Sequence, residues 1–190
     1  MTTRCTMAVA LVAVVAVLAP GALLNAAPEE SMKPPAEMAN LEFFDGSWTC
    51  AGTIPAGPMS PGGKMTGTVK SHKDLGGFWQ SGMVRSSMGG KPAMEGMFHM
   101  TYDPGTKEYV LLWVDNMGAY TKSTSKGWDA DKIVFSGVTA MCGKQMQTRD
   151  TFMKSGKTTL KHDWEEQMEG ATWTPMGSET CTRAAAPAKK

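Results

Sequence analysis

Histidine is scarce in this chain: His72, His99 and His162 are the three among 190 residues. No HExxH or paired metal-ligand spacing surrounds them, so a zincin-type metal site is excluded. No GxSxG occurs, which removes the nucleophile elbow of the hydrolases. No CxxC occurs, which removes zinc-ribbon and thioredoxin-like chemistry. Gly156-Lys157-Thr158 imitates the end of a phosphate loop, but Thr151 stands where the first Gly belongs, so the segment reads as a hairpin turn and no cofactor is indicated. Charge of one sign is also missing. There are 19 basic and 18 acidic residues, a net charge of +1. Phosphate backbones need an excess of Lys and Arg, so nucleic acid is excluded as a partner. Sustained helical periodicity is absent from the chain after its first 44 residues.

What is present begins with an export pattern. Arg4 supplies a positive start, and Met7 to Leu18 is an uncharged apolar run. Ala19-Pro20-Gly21 breaks it, and Leu24-Asn25-Ala26 offers a small residue for cleavage. Residues 1–26 therefore read as a signal peptide rather than a membrane span, which needs about 20 apolar residues. Cys5 precedes the apolar run, where no lipoprotein cysteine stands. No second run approaches spanning length. The expectation is a periplasmic or extracellular protein without a membrane span after cleavage. Residues 27–39, rich in Pro and Glu, read as a flexible linker. A short helical turn is expected over Met38 to Phe44, a domain over 40–183, and a disordered tail over 184–190. An exported setting permits disulfides. Three cysteines follow the leader, Cys50, Cys142 and Cys181, so one is left without an internal partner.

The domain consists of short runs separated by turn residues, with strands expected near 46–53, 65–72, 76–86, 93–102, 108–115, 119–124, 132–140, 145–153, 158–168 and 172–183. Asp103-Pro104-Gly105, Asn116-Met117-Gly118 and Cys142-Gly143 are typical separators. About ten hairpin-linked strands imply an all-β, antiparallel barrel or sandwich. Strand 158–168 is the clearest. Thr159, Lys161, Asp163, Glu165 and Gln167 are all polar, so Leu160, His162, Trp164, Glu166 and Met168 face inward. That places an imidazole and a carboxylate in the interior, with His162 expected to pair with Glu166 or with a backbone group, or else to contact a ligand.

The first and last strands fit one another. If they are antiparallel neighbours, a register that pairs Cys50 with Cys181 also pairs Trp48 with Arg183. One register then yields a disulfide and a cation–π contact, and it closes a barrel.

Three further segments carry a likeness. Leu75-Gly76-Gly77-Phe78-Trp79, the Tyr102-Asp103-Pro104 turn followed by Tyr109, and Trp113-Val114-Asp115 resemble the bacterial domain-of-unknown-function family number 1579 over roughly residues 40–183. Gly46-x-Trp48 and Arg183 resemble the lipocalin-like (calycin) barrels, in which such a Trp and Arg pack across the barrel base. The resemblance implies a lipocalin-like barrel, often exported, with no established activity and no catalytic residue to carry over. The related nitrobindin barrels hold haem through a His near the end of the last strand. Here Met176 to Arg183 contains none, which speaks against haem.

Two clusters carry candidate chemistry. Met94-Glu95-Gly96-Met97-Phe98-His99-Met100 offers thioethers and an imidazole, ligands suited to Cu(I). In a strand, however, Met97 and His99 face opposite to Met94 and Met100. Trp113 and Asp115 share a face with Tyr109 and Leu111, and together with His162, Trp164 and Glu166 they either line a pocket or, with the indoles as core, fill the barrel completely. Few other inward charges are expected, which favours a small hydrophobic or amphipathic ligand held without catalysis. Copper binding through the Met/His strand, and an isomerase or hydrolase using His162 and Glu166, are the competing functions.

Overall fold

The computed structural model describes residues 32–57, 60–168 and 171–185. The segment read as a signal peptide, the start of the linker and the tail beyond 185 lie outside them. The strands are β1 (Gly46–Ile54), β2 (Gly63–Asp74), β3 (Trp79–Met88), β4 (Lys91–Asp103), β5 (Glu108–Asp115), β6 (Tyr120–Ser125), β7 (Trp128–Asp129), β8 (Lys132–Met141), β9 (Lys144–Lys154), β10 (Thr159–Gln167) and β11 (Thr174–Arg183). Every pairing is antiparallel, each long strand pairs with the next, β6 pairs with β8, and β1 pairs with β11. The result is a closed ten-stranded barrel, with β7 a two-residue addition on β8. Closure leaves no free edge to template aggregation. Among the described residues no helix is long and apolar enough to cross a membrane.

The seam follows the register argued from sequence. Trp48 lies opposite Arg183, and Cys50 opposite Cys181, with the two sulfurs bonded. The Arg183 guanidinium sits 4.5 Å from the Trp48 ring centre and donates to the Phe43 carbonyl. Cys142 remains a free, exposed thiol in the turn between β8 and β9.

One end of the barrel is sealed. A 3₁₀ helix spans Ala36–Phe44, so the last four residues of the expected linker are already regular. It inserts Met38, Leu41 and Phe44 beneath Trp48, Tyr109, Leu111, Ile133, Phe135 and Leu160. Leu41, Ile133 and Phe135 are fully buried. Two hydrogen bonds fix the plug to the wall: Asn40 donates to the Tyr109 hydroxyl at 2.6 Å, and Trp128 Nε1 donates to the Asn40 carbonyl at 2.8 Å. The two-residue β7 thus exists to hold an indole against the plug.

Elsewhere the structure corrects boundaries. The strand expected from residue 76 begins at Trp79, because Leu75, Gly76 and Gly77 all adopt left-handed φ values in a tight turn. Met168 lies beyond the end of β10 and is 47% exposed, not inward, because the strand stops at Gln167.

Candidate functional site in the barrel lumen

Side chains paired across neighbouring strands share a face, so the registers map the interior in rows. One row runs from Ile133 in the sealed core through Phe152, His162, Glu179, Gly52 and Met65. A second row runs Phe135, Asp150, Trp164 and Gly177. A third runs Leu111, Ser123, Gly137, Thr148 and Glu166. Each row starts in the sealed core, at Ile133, Phe135 or Leu111, and along β10 the inward residues change from Leu160 in that core to His162, Trp164 and Glu166.

His162 is the pivot of this upper half. Its Nε2 lies 3.1 Å from Asp150 Oδ1, and its Nδ1 lies 3.4 Å from Glu179 Oε1. The expected His162–Glu166 couple is therefore not formed; β9 and β11, the two flanking strands, each supply a nearer carboxylate. Phe152 stacks on one side of the imidazole at 4.2 Å between ring centres, and Trp164 leans on it at 5.0 Å. Burial alone would lower the pKa of His162. Hydrogen bonds to Asp150 and Glu179, and the charges of both, outweigh that and raise it to about 9. At neutral pH the group is an imidazolium with both ring nitrogens engaged. Protonated and with both nitrogens engaged, His162 is a poor proton acceptor at neutral pH.

Water still reaches this layer: His162, Asp150 and Glu179 side chains are 18%, 19% and 12% exposed. Above it Trp164 and Glu166 are half-buried. The Glu166 carboxyl is pushed up by burial first and by the charge of Asp150 second. The Trp164 indole lies flat over Gly177, where an added Cβ would come within 2.0 Å of the ring. Trp113 lies over Gly96 in the same way. These glycines are in the strands because the facing indoles occupy the space a side chain would need.

The remaining expected pocket residues divide. Tyr109 and Leu111 belong to the sealed core. Trp113 Nε1 donates to Asp115 Oδ2 at 3.1 Å, while Asp115 Oδ1 accepts from the backbone of Met117 and Ala119. Asp115 thus anchors the β5–β6 turn, and its carboxylate is already spent. Trp113, Trp164, Glu166 and His162 do face one lumen. Sequence reasoning missed Asp150, Glu179 and Ser123. The expectation of few further inward charges is accordingly corrected, because Asp150 and Glu179 both point inward. Glu179 was readable: the parity that sends Cys181 inward sends it inward too. Asp150 was not, because both faces of β9 mix polar and apolar residues.

The Met/His strand does not form one site. Met97 is exposed on the outside of β4, and His99 bonds there to Ser81 Oγ at 2.8 Å, whereas Met100 is buried inside. Among the described residues, the one set of three His, Cys, Asp or Glu ligand atoms close enough for a shared metal is Cys50, Glu179 and Cys181. Two of those sulfurs are bonded to each other. Two clefts lie outside the lumen, at the sealed end. One of about 630 Å³ is lined by Glu42, Lys73 and Arg183, the other of about 370 Å³ by Pro34, Met38 and Gln80.

The crystal structure of Rv2717c from M. tuberculosis superposes with a TM-score of 0.65 at 13% identity, covering 80% of this chain and 100% of that one. That likeness is one of fold. No curated protein matches the sequence. The lipocalin-like barrel, the closing seam and a profile match over residues 33–183 agree, and the chain belongs to the family described as "Protein of unknown function (DUF1579)".

Proposed function

We propose that this protein is an exported carrier that holds a small amphipathic molecule in the upper lumen of its barrel and does no chemistry on it. The observation that carries this reading is the contrast between the two halves of the interior. The lower half is filled by its own apolar side chains, with Trp113 packed against them, whereas Trp164 and Glu166 above remain half-buried. The part of the Trp164 indole left accessible forgoes some of its hydrophobic stabilisation. A bound apolar body would recover it, and the inward carboxylates would orient a polar end. The seam disulfide and the leader-like N-terminus support the exported setting.

Native mass spectrometry of protein purified from its own source tests the reading. The expected result is an organic adduct that is lost on denaturation. A bare polypeptide mass, together with no change in tryptophan fluorescence across a panel of amphiphiles, would refute it. A metal adduct would favour the copper alternative instead.

A further inference from the structure

We infer that the outer wall of the barrel carries a Cu(I) site formed by Met83, Met97 and His99. The site lies outside the lumen, so it goes beyond the carrier reading and does not depend on it. Strand alternation splits the Met/His segment of β4, and the half that faces outward meets a further methionine on β3. One outward row runs Lys70, Met83, Met97, Val114 and Tyr120. The next row towards the base runs His72, Ser81, His99 and Leu112. Met83 and Met97 are therefore direct cross-strand neighbours, and the Cβ atoms of such a pair lie about 5 Å apart. His99 is two residues from Met97 on the same face and diagonal to Met83. Met97 is 41% exposed, and Met83 and His99 are partly exposed. Methionine stems are unbranched and flexible, so two sulfurs and one nitrogen can close on one point above the sheet.

A second, independent observation concerns the imidazole. His99 Nδ1 lies 2.8 Å from Ser81 Oγ, and Ser81 is buried. The Ser81 hydroxyl also bonds to Asp74, whose carboxyl is held below the usual carboxylate range by the Leu75 amide first and by that hydroxyl second. An ionised carboxylate only accepts, so Ser81 gives its hydrogen to Asp74 and takes one from His99 Nδ1. In the neutral ring the lone pair then stands on Nε2, the nitrogen left for a metal. Imidazoles that hold metals usually donate their other N–H to an oxygen in this way, which fixes tautomer and ring orientation. Trp79 packs edge-on against the same ring, at 6.3 Å between centres. Both supports are delivered by the left-handed turn at Leu75, Gly76 and Gly77, since Asp74 and Trp79 are the paired residues on either side of it.

The donor set selects the metal. Thioethers are soft ligands that suit Cu(I), and imidazole binds copper as well. Magnesium and calcium require oxygen ligands, and zinc takes thiolate, imidazole and carboxylate. The nearby carboxylate, Asp74, is already engaged by Leu75 and Ser81. Val114 beside Met97 and Leu112 beside His99 offer no competing oxygen from their side chains.

The test titrates Cu(I) anaerobically into the purified chain carrying Cys5→Ser and Cys142→Ser, because a free thiol would itself take the metal. Competition with bicinchoninate reads the affinity. The expected result is one equivalent bound with a Kd below about 1 μM. Met83→Leu, Met97→Leu and His99→Gln should each weaken binding about tenfold or more, whereas Met94→Leu, on the inward face of the same strand, should leave it unchanged. Leucine nearly conserves the volume of methionine, and circular dichroism confirms that each variant folds. NMR adds a measurement that needs none of these ligand variants. Cu(I) should shift the ε-methyl signals of Met83 and Met97 but not that of Met94, and the ring nitrogens of metal-free His99 should show the proton on Nδ1. No binding tighter than micromolar, binding that ignores the three residues, or a proton on His99 Nε2 overturns the site. Zn(II) bound as tightly as Cu(I) overturns the choice of metal. None of these outcomes bears on the lumen, where the carrier reading stands or falls on its own ligand.

Discussion

At the scale of single residues, the interior is governed by one proton and several missing side chains. His162 carries a pKa of about 9 when folded and about 6.5 when unfolded. A raised folded value means that its contribution is fully present below pH 6.5 and is lost as pH rises through 9. The full effect is at most about 3 kcal/mol. Denaturant unfolding between pH 6 and 10 should therefore show falling stability over that window, and the His162 ring protons should titrate near pH 9 by NMR. Asp150→Asn should lower that midpoint, because it removes the nearer of the two carboxylates. Gly177 makes the complementary point. A methyl there would meet the rigid Trp164 ring at 2.0 Å, so Gly177→Ala should cost about 1–3 kcal/mol and alter tryptophan emission. The residue scale is also where the sequence was hardest to read. Alternation identified the inward face of β10 but not the partner of its histidine. Asp150 comes from a strand whose two faces are both mixed, and although parity with Cys181 marks Glu179 as inward, local pattern says nothing about which carboxylate lies nearer across the ladder.

At the scale of elements, the strands were legible and the plug was only half so. Ten alternating runs bounded by Gly, Pro, Asn and Asp correspond to the ten long strands, because turn chemistry and period-two patterning are local properties. The two-residue β7 was hidden inside a separator, since Trp128-Asp129 is too short to alternate. The 3₁₀ helix Ala36–Phe44 was foreseen from Met38 onward, while its first turn, preceded by Pro34 and Pro35, looked like linker. What makes it a structural element is tertiary: Leu41 is completely enclosed by the barrel base. Leu41→Ala should therefore destabilise the whole domain by about 2–5 kcal/mol, measured by urea unfolding, and not just loosen a terminal segment. A change confined to local protection around residues 36–44, with global stability intact, would contradict this.

At the scale of the whole molecule, the decisive relation was the pairing of the chain's two distant ends. It was legible because two constraints, sulfur to sulfur and indole to guanidinium, agree on one register of β1 against β11. The disulfide joins residues 131 apart. Bridges closing loops of this size contribute about 2–4 kcal/mol, somewhat less than the chain-entropy ceiling. Reduction, or a Cys50→Ala/Cys181→Ala double variant, should lower Tm by about 5–15 °C. The barrel should survive, since the backbone ladder and the core remain. The seam has one more consequence. β1 starts and β11 finishes side by side at the plugged base, where the Ala184 amide donates to the Ser47 carbonyl at 2.7 Å. The β9–β10 turn around Gly156 opens at that same base, with nothing packed on the glycine. Joining residue 184 to residue 33 through a bridge, so that the plug Ala36–Phe44 is kept, and opening the chain at Gly156 would give a circular permutant with the same ring of strands, its new ends again at the base and its mouth unobstructed.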